Sequence, residues 1–144
     1  MFRGSHLTRF DEKFRLKVPA EFKRRIDEVY GPQFYITSKD GKRAELIPLK
    51  EWEKIEEKMA KISPLNPAKK RFLDITGYYG QMVEMDQQGR LLLPQKIREA
   101  AALNEEVIVI GMQTSLDVEN HERFKPAVVP LTDAELLALA ELGM

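Results

Sequence analysis

The chain has 144 residues, of which 43% are hydrophobic and 32% charged, and this composition suits a folded globular protein rather than a disordered one. It contains no cysteine, so disulfides and thiolate metal sites are excluded. The formal net charge is zero, but residues 1–25 carry eight basic side chains against three acids, and residues 99–144 carry two against nine. This split predicts one face that attracts phosphates and another that is acidic.

Membrane, secretion and metal signals are missing from the sequence. The longest apolar runs are too short to span a bilayer, and the first residues lack the charged-then-apolar layout of a secretion signal. His6 and His121 are single and far apart in sequence, so we expect no metal site, and no cofactor is indicated. We therefore expect a cytoplasmic protein that does not contact membranes.

The first segment predicts a strand, a turn that carries Asp11, and a short strand over Arg15–Val18. Pro19 stops that strand and suits the first turn of a helix, where its missing N–H has no consequence. Gly31 offers a left-handed stop for this helix. Apolar residues recur between the two at helical spacing: Phe22, Ile26, Val29 and Tyr30.

A hairpin and two helices are predicted next. Phe34–Ser38 and Arg43–Ile47 flank Asp40-Gly41, a strong signal for a tight β-turn. The helix that follows carries one apolar stripe, which we expect to be core or subunit contact: Trp52, Ile55, Met59 and Ile62. Ser63–Pro67 breaks that helix, and a second one is expected to run towards Gly77.

The segment from Asp11 to Pro19 recurs 75 positions later, from Asp86 to Pro94. The Asp, the Arg, the following Leu and the Pro coincide, which indicates a tandem duplication. The second copy again predicts a short strand (Arg90–Leu93), a helix, and a hairpin from Val107–Gly111 and Leu116–Glu119. The predicted division is a first repeat with its trailing helix (1–62), a connecting helix (63–76), a second repeat (77–125), and a linker with a short C-terminal helix (126–144).

Neither repeat can bury enough apolar surface alone, because about 50 residues of short strands and one short helix form too small a core. Interleaving the strands of both repeats would remove exposed edges. We therefore expect an α+β fold, a pseudo-symmetric β-barrel with peripheral helices. In the tail, Pro126–Pro130 is expected to be extended, and Thr132–Glu135 matches a capping box that opens a leucine-rich helix. That helix either packs on a neighbouring subunit or remains mobile.

Several stretches resemble the MraZ family, a branch of the AbrB-like swapped-hairpin barrels. They are Met1–Gly4, the two Asp-x-x-x-Arg motifs with their prolines, Leu46–Pro48 with Trp52, and Val107–Gly111. The resemblance covers roughly residues 1–125 and implies a barrel of the AbrB-like double swapped-hairpin type. It also implies a bacterial transcriptional regulator that binds short repeats in double-stranded DNA upstream of its own operon, the cluster for cell division and cell-wall synthesis. Such proteins assemble into rings of identical subunits, and a nucleoid-associated cytoplasmic location follows.

One residue departs from the family pattern. The family usually places Gly directly before the Arg, as Gly89 does here, but the first copy has Phe14. Glycine accepts a positive φ without steric cost, and phenylalanine does not. Either the turn of the first copy is remodelled, or Phe14 uses an allowed geometry and packs against a neighbour.

Arginine is the residue expected at a DNA contact, because its planar fork bonds guanine O6 and N7 at once or clamps a phosphate. An acid four positions earlier can hold the guanidinium in one pose, as Asp11 would for Arg15. Asp86 would do the same for Arg90. Further basic residues near the first motif are expected to contact phosphates: Arg3, Lys13 and Lys17.

The alternative for each Asp–Arg pair is a purely structural ion pair, with the Asp also capping the turn. This alternative weighs more for Arg90, because Gln87 and Gln88 flank the second motif whereas Arg15 sits in the basic segment.

Two other functional classes are weighed against DNA binding. An enzyme is not expected, because the sequence has no nucleophile elbow, phosphate-binding glycine loop or metal-ligand cluster. An AbrB-like protein-interaction module without sequence-specific DNA binding fits the zero net charge. Salt separates the two remaining classes, because a DNA binder that uses several Lys and Arg contacts loses affinity steeply as salt rises.

Overall fold

Eight strands form two antiparallel sheets in the computed structural model, which describes residues 1–144. The strands of the first repeat are β1 (Ser5–Arg9), β2 (Arg15–Lys17), β3 (Gln33–Thr37) and β4 (Ala44–Pro48). Those of the second repeat are β5 (Gln81–Glu84), β6 (Arg90–Leu92), β7 (Glu106–Gly111) and β8 (Leu116–Asn120). The helices are α1 (Ala20–Val29), α2 (Leu49–Ala60), α3 (Pro67–Tyr79), α4 (Gln95–Ala100), α5 (His121–Phe124) and α6 (Asp133–Glu141).

The first strand of each repeat pairs with the hairpin of the other repeat. β1 lies antiparallel to β7, β5 lies antiparallel to β3, and β4 pairs with β8, which gives the order β1-β7-β8-β4-β3-β5. β2 and β6 pair with each other in the second sheet. A pseudo-twofold axis relates the two repeats. It passes between Leu16 and Leu91 in the two-stranded sheet, and between Glu45 and Asp117 in the six-stranded sheet. The α+β class is confirmed, and the strands of the two repeats are interleaved.

The hydrogen-bonded strands do not close into the expected barrel. The six-stranded ladder ends at β1 and β5, which pack beside β2 and β6. An isolated bridge between Phe10 and Leu16 lies between these two parts of the first repeat. β2 and β6 are three residues long and pair with one another, so they do not extend the ladder. The result is an open six-stranded sheet with a two-stranded sheet packed against it.

The hydrophobic core is shared between the repeats. A single cluster of 19 buried residues joins both sheets with α1 and α4. Leu16 and Leu91 are fully buried in it, and α1 and α4 add Ile26 and Ile97. Neither repeat therefore has a core of its own, as the small size of each copy predicts.

The outer face of the first hairpin is covered by α2 and α3. Trp52 is buried there, stacked on Tyr35 with 4.5 Å between ring centroids. The predicted apolar stripe of α2 is therefore core contact at Trp52, whereas Ile55 and Met59 remain partly exposed along it.

Helix boundaries differ from the sequence-based expectation in three places. α3 continues past Gly77 to Tyr79, because Gly77 does not take a left-handed φ. α5 was not predicted, and Lys125–Ala127 forms one turn of 3₁₀ helix where an extended segment was expected from Pro126 onwards. The capping box at Thr132 is confirmed. None of the helices combines the length and apolar character that crossing a membrane requires.

Candidate nucleic-acid interface

The Asp11 carboxylate organises both the turn after β1 and the Arg15 side chain. Its Oδ1 accepts hydrogen bonds from the backbone N–H groups of Lys13 and Arg15, each 2.9 Å long. Its Oδ2 accepts from Arg15 Nε at 2.8 Å. Because the same group fixes the backbone and the guanidinium, Arg15 is oriented before any ligand arrives.

The second motif reproduces this geometry. Asp86 Oδ1 accepts from the backbone N–H groups of Gln88 and Arg90 at 2.9 Å, and its Oδ2 accepts from Arg90 Nε at 2.8 Å. Both arginines thus use Nε internally, which leaves their two terminal nitrogens for an outside acceptor. The expected Asp–Arg pairing is present in both copies, and the Asp caps its turn in each.

The turn that contains Phe14 keeps the shape of its glycine counterpart. Phe14 has a φ of 61° and Gly89 a φ of 79°, so the first turn is not remodelled and Phe14 takes the left-handed conformation. That conformation is unfavourable for a residue with a Cβ by roughly 1–2 kcal/mol. The phenyl ring lies under the guanidinium of Arg98, with 4.1 Å from Arg98 Cζ to the ring centroid, so it also packs against a neighbour.

The helix of each repeat covers the turn of the other repeat. Arg98 of α4 covers Phe14, and Lys23 of α1 lies over Gly89, where a Cβ would meet Lys23 Cδ at 2.7 Å. Neither Lys23 nor Arg98 was among the predicted site residues. The signal was in the sequence, because the two residues occupy matching positions in the duplication, 75 residues apart.

The pKa values of Asp11 and Asp86 are both lowered from their ordinary value. The largest cause is the hydrogen bond from the backbone N–H of Arg15 to Asp11 and from that of Arg90 to Asp86. Partial desolvation opposes this effect, and the guanidinium hydrogen bonds add to it. Both carboxylates are therefore ionised at neutral pH and hold their arginines as ion pairs.

Pairing of β2 with β6 brings the two motifs onto one surface. Arg15 lies opposite Leu92 and Lys17 opposite Arg90, while Leu16 and Leu91 between them point into the core. Arg15 and Arg90 line the same shallow pocket of about 290 Å³. We call the outward basic side chains here the strand-pair surface; they are Lys13, Arg15, Lys17 and Arg90, and the exposed Leu92 lies among them.

Arg3 lies away from the strand-pair surface. It precedes β1, where its backbone approaches Gly111, whereas the Asp11 turn follows the far end of β1. A five-residue strand spans about 17 Å, so the two ends are well separated. The structure brings together the other six predicted residues, and a DNA contact by Arg3 stays a prediction.

A family model described as "MraZ protein, putative antitoxin-like" matches residues 1–75 and 80–129 of the chain. The transcriptional regulator MraZ of Acidobacterium capsulatum is 62% identical over 146 residues, with 100% of each chain covered. The protein of the same name in Koribacter versatilis is 47% identical over 147 residues, again with full coverage of both. The one from Escherichia coli O9:H4 is 32% identical over 144 residues, covering 99% of this chain and 95% of its own. These relatives are named as transcriptional regulators and not as enzymes, and the chain belongs to the MraZ family.

Proposed function

We propose that this protein is a transcriptional regulator that binds short repeated promoter boxes in double-stranded DNA through its strand-pair surface. The observation that carries the proposal is the pair of identically oriented arginines, Arg15 and Arg90, on one two-stranded sheet. Asp11 and Asp86 position them, and Lys13 and Lys17 flank them as phosphate contacts.

The shape of this element suits duplex DNA. The major groove is about 12 Å wide and admits a two-stranded β-ribbon. In β2 and β6 one face is buried by Leu16 and Leu91, so the other face is free to enter a groove. A guanidinium held at Nε presents its remaining nitrogens as a fork, which matches guanine O6 and N7 or a phosphate.

Orientation by a carboxylate also favours specific recognition over a structural ion pair alone. A freely rotating arginine loses rotamer entropy when it binds, by about 0.5–1.5 kcal/mol for each immobilised side chain. Asp11 and Asp86 remove part of that loss in advance. The bond from the guanidinium to the half-exposed carboxylate would by itself contribute only about 0–1 kcal/mol to stability, so orientation of the arginine is the larger effect expected of it.

The pseudo-twofold axis and the family resemblance support the larger assembly. Each repeat donates its first strand to the hairpin of the other, which supports an AbrB-like double swapped-hairpin arrangement. One strand-pair surface covers only a few base pairs, so weak contacts multiplied in a ring of identical subunits would supply avidity for repeated boxes. We extend the proposal to promoter repeats upstream of the cell-division and cell-wall gene cluster, and to a nucleoid-associated location in the cytoplasm.

The test is binding to a labelled fragment from upstream of the protein's own gene, beside a scrambled duplex, at two salt concentrations. We expect preferential binding that weakens with salt at a log–log slope near −0.9 for each phosphate contacted. Arg15→Ala should weaken specific binding by roughly 1–3 kcal/mol. Lys42→Ala is the control, because it removes one exposed positive charge from the turn between β3 and β4. That turn lies near the start of β5, whereas the Asp86 turn follows the other end of β5.

Equal or absent binding to both duplexes would contradict the proposal and favour the protein-interaction module. An equal loss of affinity in the Arg15→Ala and Lys42→Ala variants would mean that only the net charge of the protein matters, and Arg15 would then not be a specific contact.

A further inference from the structure

The C-terminal segment forms a helix with no extensive contact to the rest of its own chain. Every residue from Leu131 to Met144 is exposed except Leu139, which is half-buried. In the helix, Leu136 is 50% and Leu137 60% accessible, and Leu142 directly after it is 82% accessible. The N-terminus of the helix is capped, because Thr132 Oγ1 accepts a hydrogen bond from the backbone N–H of Glu135 at 3.1 Å.

A capped helix of this length still needs a surface to lie on. Isolated helices shorter than about 12–15 residues are marginal in water, and most helical stability comes from packing an apolar face. α6 has nine residues. Its exposed leucines and its capped start therefore indicate that the helix packs on a surface of another molecule.

An open apolar groove lies between α2 and α3. Trp52, Ile55, Met59, Phe72 and Leu73 line most of a pocket of about 270 Å³. The floor is rigid, because Trp52 stacks on Tyr35 below it and lies 6.3 Å from Phe72 between ring centroids. Leu73 at the rim is 47% exposed. The groove is large enough to receive leucine side chains.

The charges around the two surfaces are opposite. Residues 126–144 contain three acids, Asp133, Glu135 and Glu141, and no basic side chain. Residues 49–79, which contain α2 and α3, carry seven basic side chains and five acids. The lining of the groove holds one charge of each sign, Lys69 and Glu56. An acidic apolar helix therefore meets an apolar groove between two helices whose net charge is positive, and this difference in charge favours docking.

We propose that α6 of one copy docks into the α2–α3 groove of a second copy of this chain. Each copy carries one helix and one groove, so the contact is heterologous and leaves a free helix at one end and a free groove at the other. Such a contact propagates from copy to copy and closes when the rotation between neighbours allows a ring. The inference rests on the self-association within the proposed function and specifies the surfaces that make it.

Because the chain has no cysteine, single cysteines report this contact without background. We would mix the Leu73→Cys protein with the Leu137→Cys protein, without DNA, under mild oxidation. The expected product is a mixed disulfide dimer that forms faster than the one obtained when Leu65→Cys replaces Leu73→Cys. Leu65 is the matched control, because it is 90% exposed and lies outside the groove.

Sedimentation velocity over a concentration series supplies the second measurement. Leu73→Glu and Leu137→Glu should each weaken self-association by about tenfold or more, since each places a charge where a leucine would be buried. Leu65→Glu should leave self-association unchanged. Far-ultraviolet circular dichroism should show that the sheets and the other helices persist in all three variants, with only a small helical loss from α6 in the two variants that no longer dock.

A mixed disulfide no faster than the Leu65 control would overturn the proposal. So would a double variant carrying both cysteines that closes within one chain at high dilution, because α6 would then occupy its own groove. Unchanged self-association in both glutamate variants would overturn it too. Since no DNA is present, each of these results leaves DNA binding by the strand-pair surface untouched.

Discussion

The Asp11→Asn substitution separates the two tasks of the Asp11 carboxylate. Asparagine keeps an oxygen that accepts the backbone N–H groups of Lys13 and Arg15, now 2.9 Å from Oδ1, so the turn should persist. The amide nitrogen that replaces Oδ2 cannot accept from Arg15 Nε, and the 2.8 Å bond is lost. The variant therefore frees the guanidinium while it retains the fold.

The expected result is a loss of discrimination rather than of all binding. A freed Arg15 must be immobilised again on DNA at about 0.5–1.5 kcal/mol, which corresponds to a roughly 2- to 13-fold weaker specific complex. Removal of a negative charge beside the phosphates acts in the opposite direction and strengthens binding to any duplex. The ratio of specific to scrambled affinity should therefore fall by at least the entropic factor.

Fluorescence anisotropy with the upstream fragment and the scrambled duplex measures this ratio. Asp74→Asn is the matched control, because it removes an exposed charge on α3 away from the strand-pair surface. The wild-type ratio should not change between about pH 5 and pH 8 through this group, because the pKa of Asp11 is lowered and the ion pair persists. A ratio in Asp11→Asn equal to the wild-type ratio, with an unchanged fold, would refute orientation of Arg15 by Asp11.

Four further substitutions test stability. Phe14→Gly should change the free energy of unfolding by less than about 1 kcal/mol, because relief of the left-handed φ is offset by unfolded-chain entropy and by the lost Arg98 contact. Gly89→Ala should destabilise the fold by about 1 kcal/mol. Urea denaturation measures both, and a larger loss of stability in Phe14→Gly than in Gly89→Ala would contradict the strain argument. In the same assay, Arg43→Ala should destabilise the fold by about 1–3 kcal/mol, since it removes the guanidinium that lies 3.2 Å from the buried Asp117 carboxylate. An unchanged midpoint of urea denaturation would mean that this ion pair contributes nothing to stability. Burial raises the pKa of Glu45, so its ionised form opposes folding above that pKa and the penalty fades as pH falls towards the unfolded value. Glu45→Gln should therefore raise the melting temperature at pH 7 more than at about pH 5, and an equal gain at both would exclude this cause.

Local elements could be predicted from the sequence because their signals are local. Pro19 and Pro94 each precede a helix, and Asp40-Gly41 lies between paired strands. The duplication also indicated two equivalent Asp–Arg turns, and the structure gives them the same hydrogen bonds. These signals depend on spacing within one segment and on the preferences of single residues.

The exceptions all depend on distant parts of the chain. The sequence pattern of β1 does not say that its partner is β7, and nothing in β2 and β6 shows that they would pair with each other instead of closing a barrel. Phe14 adopts the left-handed φ because Asp11 holds the turn and Arg98 covers it. The conformational preference of phenylalanine alone does not indicate this φ. Arg3 is near Arg15 in sequence, but β1 separates them in space.

The exchange of first strands between the repeats has a consequence for how the chain folds. Ser5 lies opposite Ile110, so the first strand cannot find its partner until residue 110 has left the ribosome. Long-range pairings of this kind give a high contact order and slow folding, because loop entropy is lost before the contacts form. A nascent chain must therefore carry β1 without its partner strand through most of its synthesis. The same exchange means that two halves made as separate chains hold complementary strands, and their reassembly would rebuild the fold without the covalent link between the repeats.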